Sequence, residues 1–295
     1  MQTKAVQSQG NRARLMNIFK IIRIDQHLFT HLHYWGKAGY YHFYFSPDFK
    51  NAEDLLHFLI DPVVSPDIVF PTRKRRRVFV AHTGNGEKVL CKQFLLWRHK
   101  KNCFHVNDFA YKEVVNHMFF SSFPYLVPKI YGYYEKRVCG LPVECGMFMS
   151  YLEGFERLQA KEYMFATRMI LALSENGVFH GDLSPKNILI KKQSGELALI
   201  DMDSVSKCAP YSWHHLVRMA GNYLYSTQYM YPDVLDQDDR LDFITLLYQE
   251  LPESKRAICG FDAFRDIILE IARHIAWEPL PEEIFEKNAF FSCPQ

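Results

Sequence analysis

With 295 residues, 48% of them hydrophobic and 23% charged, the chain can bury a core of its own and is not disordered, collagen-like or a coiled coil. Its 35 basic and 33 acidic side chains leave a net charge of +2, which gives no electrostatic case for nucleic acid. Aromatic residues make up 15%, pointing to well-filled pockets or apolar contact surfaces, and no uncharged apolar run is long enough to read as a membrane span.

Residues 1–10 are polar and lack the apolar centre of a signal peptide, so the expected location is the cytoplasm. The seven cysteines are odd in number and contain no C-x-x-C, which favours free thiols over a disulfide scaffold or a zinc site. Arg14 to Phe29 reads as an amphipathic helix with Arg14, Lys20 and Arg23 on its polar side. Gly39 to Phe45 reads as an aromatic strand or a wedge against a core, and Ala52 to Ile60 as a short helix. Pro62, Pro66 and Pro71 then mark a seam between an N-terminal extension and the main body.

Beyond the seam, two apolar runs flank Asn85-Gly86 and predict a β-hairpin. Asp108 to Phe120 predicts a helix capped by Asp108. Ile130 to Tyr134 and Cys145 to Leu152 are strand-like. Ala160 to Asn176 is helical and ends at Gly177. Short β-rich runs follow at Asn187–Lys191 and Leu197–Asp201, and the chain is mostly helical from Trp213. The plan is two-lobed α+β, with a hinge near Ser150–Gly154.

The chemistry concentrates in His180-Gly181-Asp182-Leu183-Ser184-Pro185-Lys186-Asn187 and in Leu199-Ile200-Asp201-Met202-Asp203. Asp182 and Asn187 stand five apart, the spacing of the Asp and Asn in the phosphoryl-transfer loop H-R-D-x-x-x-x-N. Phosphoryl transfer needs a carboxylate to orient the attacking hydroxyl, oxygen ligands for Mg²⁺, and a cation on the phosphates. One turn through Ser194-Gly195 lets Asp201 return beside Asn187, and such hard oxygen ligands suit Mg²⁺.

These residues resemble those of the protein-kinase-like superfamily. The resemblance implies a bilobal protein-kinase-like fold with a β-rich N-lobe and a mostly helical C-lobe, binding ATP between the lobes. Asp182, Asn187 and Asp201 would be catalytic, with Asn187 and Asp201 holding Mg²⁺. Adenine would lie against the backbone near Ser150–Glu153, Ser150 and Leu152 among its contacts. Val89-Leu90-Cys91-Lys92 resembles the V-A-I-K strand, so Lys92 would hold the α- and β-phosphates, with Lys88 as a rival. Glu113, beside Val114 and His117, either faces inward to pair with Lys92 or sits on the surface. Lys186, four past Asp182, would contact the γ-phosphate.

A glycine-rich phosphate loop is missing. The run Arg73–Arg77 either helps bind phosphates in its place or is a solvated charge run, and it also fits a nuclear-targeting pattern. Gly181 replaces the Arg of H-R-D, no A-P-E follows Asp201, and little chain remains for docking a peptide. The sequence is most similar to bacterial lipopolysaccharide core kinases, which phosphorylate Kdo or heptose. The likeness rests on the basic run into a strand, the glycine-poor loop, H-x-D-L-x-x-x-N with Ile200-Asp201-Met202-Asp203, and the apolar-Arg pattern Trp213–Arg218. It covers residues 70–240.

The expected layout is an extension over 1–70, an N-lobe over 71–152 and a C-lobe over 153–295. The expected partner is a glycan or glycolipid, with no nucleic acid. A lipid-linked acceptor would bring the protein to the inner face of the inner membrane. The helix at 14–29 and the basic run either meet anionic lipid there or, for the helix, pack on the small lobe. Arg218 either holds an anionic group of the acceptor or makes a salt bridge within the helical lobe. The rival functions are a small atypical protein kinase and a pseudokinase binding module.

Overall fold

The structure is a computed structural model and describes residues 32–60, 68–70, 76–95, 108–120, 125, 127–139, 141–229 and 235–274. The expected helix at 14–29, the seam prolines and residues 73–75 of the basic run lie outside these. The chain divides into two compact units, one of residues 1–118 and 129–151, the other of 119–128 and 152–295. The first is built on a sheet and the second on helices, the α+β division expected.

The sheet unit contains β1 (His33–Ala38), β2 (Tyr41–Phe45), α1 (Ala52–Ile60), β3 (Ile68–Phe70), β4 (Arg76–His82) and β5 (Lys88–Leu95). After these come α2 (Asp108–Phe119), β6 (Ile130–Val138) and β7 (Leu141–Ser150). Seven antiparallel strands run in the order β1-β2-β6-β7-β5-β4-β3. The predicted hairpin is β4–β5, in register from Arg76↔Phe94 to His82↔Lys88 around the Asn85-Gly86 turn. The sheet runs across the boundary expected at residue 70. Strands β1, β2 and β3 all precede it, yet β2 pairs with β6 and β3 with β4.

The reason is alternation. In β2, Phe43 and Phe45 point to one face and Tyr44 to the other, and all three are buried. Phe43 and Phe45 join Phe148, Tyr134 and Leu55 of α1 in one cluster. Tyr44 joins Tyr133, Met147 and Val114 of α2 in the other. A strand with apolar side chains on both faces needs cover on both, and the sheet between two helices supplies it.

The helical unit contains β8 (Glu156–Arg157), α3 (Tyr163–Glu175), β9 (Val178–His180), β10 (Ile188–Lys191), β11 (Glu196–Leu199) and β12 (Val205–Lys207). It continues with α4 (Trp213–Tyr229), α5 (Gln237–Gln249), α6 (Glu253–Arg256) and α7 (Phe261–Ile271). Helix α4 is central, burying eleven of its seventeen residues on several sides. It meets α7 at Gly221, where a Cβ would lie 2.3 Å from Ile271 Cγ2, so only glycine lets the two helices approach this closely. Helix α5 starts at a reciprocal cap: Asp239 N–H donates to Asp236 Oδ1 at 2.8 Å and Asp236 N–H to Asp239 Oδ2 at 3.3 Å. Among the described residues no helix is long and apolar enough to cross a membrane. The five described cysteines are free thiols, as expected.

Candidate active site

In β5 the period of two sends Val89 and Cys91 to the α1 face and Leu90, Lys92 and Phe94 to the α2 face. On α2, Ala110, Glu113, Val114 and His117 fall on one helical stripe and are all buried. Lys92 and Glu113 therefore meet. Lys92 Nζ lies 2.6 Å from both Glu113 oxygens. His117 Nε2, one turn further on, is 3.8 Å from Glu113 Oε1. Of the two readings of Glu113, the inward one is what the fold adopts. The rival Lys88 sits at the start of β5 with its Nζ 6.0 Å from the Tyr151 ring centre.

Ser150 ends β7. Its N–H donates to the Lys129 carbonyl, and its hydroxyl accepts from Lys129 N–H, both at 2.9 Å. Leu152, the first residue of the helical unit's main segment, offers its carbonyl to Phe155 N–H at 3.4 Å.

The remaining expected residues lie in the helical unit, on two loops. One, 181–187, joins β9 to β10. The other, 200–204, joins β11 to β12. Because β9 pairs with β12 (Val205↔His180) and β10 with β11 (Ile188↔Leu199), both loops leave the same pair of ribbons side by side. Backbone bonds stitch them: Gly181 N–H to Ser204 O at 3.0 Å and Ile200 N–H to Asn187 O at 3.0 Å. The second bond brings the chain at Asp201 back beside Asn187.

Asn187 is buried, and its amide nitrogen donates to Asp182 O at 2.7 Å and lies 3.4 Å from Asp182 Oδ2. Both partners only accept, so the nitrogen must face them and Asn187 Oδ1 is the atom left for a cation. Asp182 N–H is held by Ser204 Oγ at 3.2 Å and by His180 Nδ1 at 3.3 Å. His180 is fully buried, and its Nε2 lies 3.3 Å from Ile200 O. Burial pushes the His180 ring below the ordinary histidine pKa, so it is neutral at pH 7. A neutral ring with Nδ1 accepting and Nε2–H donating bridges both loops at once.

Gly181, where protein kinases have Arg, has Ser204 O 3.2 Å from where a Cβ would stand. A side chain there would press on the other loop. Lys186 Nζ lies 3.6 Å from Asp182 Oδ2, and both side chains are about one-third exposed.

The strand expected to run through Asp201 ends at Leu199. Asp201 has φ 61° and ψ 57°, and the chain turns there into a 3₁₀ segment, Met202–Ser204. Left-handed backbone costs a non-glycine residue about 1 kcal/mol, least for Asp and Asn, so the neighbouring structure must hold Asp201 there. Among the described residues no three His, Cys, Asp or Glu side chains cluster as a metal cage. An amide oxygen at Asn187 and a carboxylate at Asp201, on loops joined by the Ile200 N–H bond to Asn187 O, are hard oxygens of the type that Mg²⁺ accepts beside waters and phosphate oxygens.

Two positioning residues escape motif reading. Ser204 holds Asp182 N–H across 22 positions. Asn222, buried on α4, donates to Gly181 O at 2.8 Å across 41 positions. The only sequence signal for Asn222 is an amide within a buried apolar stretch of helix. Arg218, one turn earlier, has its guanidinium 5.7 Å from the centre of the Phe179 ring.

No protein-family model matches the chain, and no curated protein matches it. Among solved structures the chain is similar to WaaP in complex with acyl carrier protein, at TM-score 0.42 and 13% identity over 71% of this chain and 88% of that one. It is similar to the amicoumacin kinase hAmiN with AMP-PNP, Ca²⁺ and Ami, at TM-score 0.48 and 11% identity over 82% and 92%. It is also similar to the Rio2 kinase of Chaetomium thermophilum in its ADP/Mg²⁺-phosphoaspartate complex, at TM-score 0.41 and 14% identity over 87% and 82%. These likenesses lie in the course of the backbone and assign no role to any residue here.

Proposed function

We propose that the protein is an ATP- and Mg²⁺-dependent phosphotransferase acting on an alcohol, most narrowly a sugar hydroxyl of a glycan or glycolipid such as Kdo or heptose of the lipopolysaccharide inner core. The observation that carries the reading is the stitched pair of loops, where Asp182, Asn187 and Asp201 converge in the pattern phosphoryl transfer requires. Asp182 orients the acceptor hydroxyl and takes its proton as the new O–P bond forms and ADP departs. Asn187 and Asp201 would hold Mg²⁺, which would neutralise charge on the phosphates. Lys186, already beside Asp182, follows the γ-phosphate. From the sheet unit, Lys92 held by Glu113 steadies the α- and β-phosphates, and the backbone at Ser150 and Leu152 takes the adenine. Positioning and charge stabilisation supply the rate. The sugar acceptor is favoured over a protein by Gly181 in place of Arg and by the short segment from Ser204 to Tyr211.

The test is transfer of labelled γ-phosphate from Mg-ATP to de-acylated lipopolysaccharide core, to a generic protein substrate, and to the protein alone. Label on the glycan, reduced about 10³-fold in Asp182→Asn, is the expected result. Label only on protein overturns the glycan acceptor. Nucleotide binding with no transfer to any acceptor overturns the catalytic reading.

A further inference from the structure

We propose that His117 is a positioning residue for Lys92: its Nε2–H takes over Oε1 of Glu113 when Lys92 turns one of its N–H groups from that oxygen to a phosphate of the nucleotide. The proposal deepens the phosphotransferase reading and rests on it for the nucleotide as the ligand of Lys92. All three side chains belong to the sheet unit. His117 stands one turn after Glu113 on α2 and is 2% exposed. Among the described residues neither nitrogen of its ring has a hydrogen-bond partner. Nε2 lies 3.8 Å from Glu113 Oε1, about 1 Å beyond a hydrogen bond.

A buried ring with two unmatched nitrogens costs free energy that a leucine at the same place would not. Ala110 and Val114 of the same helical stripe belong to the apolar cluster on this face of the sheet. The position therefore calls for an apolar residue unless the ring has a second arrangement in which a nitrogen is used. The carboxylate one turn back supplies it, since closing the gap needs only a tilt of the ring or of the Glu113 side chain. Another carboxylate on this face, Glu135, is already held by the Tyr133 hydroxyl at 2.9 Å and by Arg137 Nε at 2.7 Å.

The need for a second donor follows from counting. A lysine ammonium has three N–H groups. Lys92 Nζ commits two of them, one to each oxygen of Glu113 at 2.6 Å. Steadying both the α- and the β-phosphate takes two N–H groups, so Lys92 must draw on one already committed. Glu113 then loses a bond at a carboxylate that is 1% exposed, where little water reaches to replace it. His117 Nε2 is a donor within reach of Oε1. With Oε1 on His117 and Oε2 on Lys92, the carboxylate keeps a bond at each oxygen. Lys92 stays anchored through Oε2 while it engages the phosphates.

The test is binding of Mg-ADP and, separately, of adenosine to the full chain by calorimetry, with ¹H–¹⁵N NMR of the histidine rings on the same samples. The expected result is a saturable shift of the His117 Nε2 resonance with Mg-ADP and none with adenosine, which carries no phosphate for Lys92. His117→Leu should weaken Mg-ADP binding about tenfold and leave adenosine binding unchanged. His117→Gln, whose amide can donate to Oε1, should recover most of that loss. An unchanged amide spectrum without ligand shows that each variant keeps the fold, and a purely structural role for His117 would weaken both ligands alike. A ring unmoved by bound Mg-ADP, undiminished Mg-ADP affinity in His117→Leu, or equal losses for the two ligands overturns the positioning role and leaves the phosphotransferase reading standing. A shifted ring in a protein that transfers phosphate to no acceptor upholds the positioning role and overturns that reading. No binding of Mg-ADP overturns both.

Discussion

Two lysine–carboxylate pairs, one in each unit, differ chiefly in their access to water. Lys92 in the sheet unit touches both oxygens of Glu113 at 2.6 Å, with the side chains 8% and 1% exposed. Lys186 in the helical unit stands 3.6 Å from one oxygen of Asp182, with side chains 30% and 31% exposed. Both members of the first pair have lost their hydration, so neither can leave without stranding the other as a buried charge. The second pair is worth at most about 1 kcal/mol, because water competes for each partner at every moment. A dry pair fixes a geometry. A wet pair leaves its carboxylate and its ammonium free to move, as the roles proposed for Asp182 and Lys186 require.

The contrast can be broken by substitution. The largest effect on stability is expected from Lys92→Met, which strands Glu113 and should cost about 3–5 kcal/mol in urea unfolding. Adding Glu113→Leu should restore most of that loss while leaving phosphotransfer impaired. A single-variant cost under about 1 kcal/mol would mean that the pair is not dry in solution. Next comes Asn222→Leu, which removes the amide from the Gly181 carbonyl and should cost about 1–3 kcal/mol. It should also lower kcat with nucleotide affinity unchanged, since it loosens only the loop bearing Asp182. An unaltered kcat would show that the loop needs no tether from α4. The smallest effect on stability belongs to Lys186→Met, under about 1 kcal/mol. Its transfer rate should nonetheless fall at least about tenfold. Equal losses of stability in the two lysine variants would erase the distinction between the pairs.

Particular residues show why some of this was legible in advance. Asn85-Gly86 specifies the β4–β5 turn within four residues of chain, so the hairpin follows from local backbone preference. The Asp182–Asn187 spacing is likewise local, closed by an amide that reaches back five positions. The direction of Glu113 was not legible, because a helix stripe shows which residues share a face but not what covers it. The end of β11 before Asp201 was missed because an apolar run predicts strand. The left-handed turn is imposed by the neighbouring loop, through Ile200 N–H on Asn187 and His180 on Ile200.

By itself, then, the sequence determined the α+β division, the hairpin and the identity and order of the acidic and amide residues, since each depends on interactions within a few positions. Tertiary structure alone decided that strands before residue 70 complete the sheet. It alone brought Glu113 to Lys92, Ser204 and Asn222 to the 181–187 loop, and His215 and Arg218 to Phe179. The side-chain hydrogen bonds among those contacts span 21 to 41 positions, and over such separations which groups meet depends on how whole elements pack, not on the preferences of either segment.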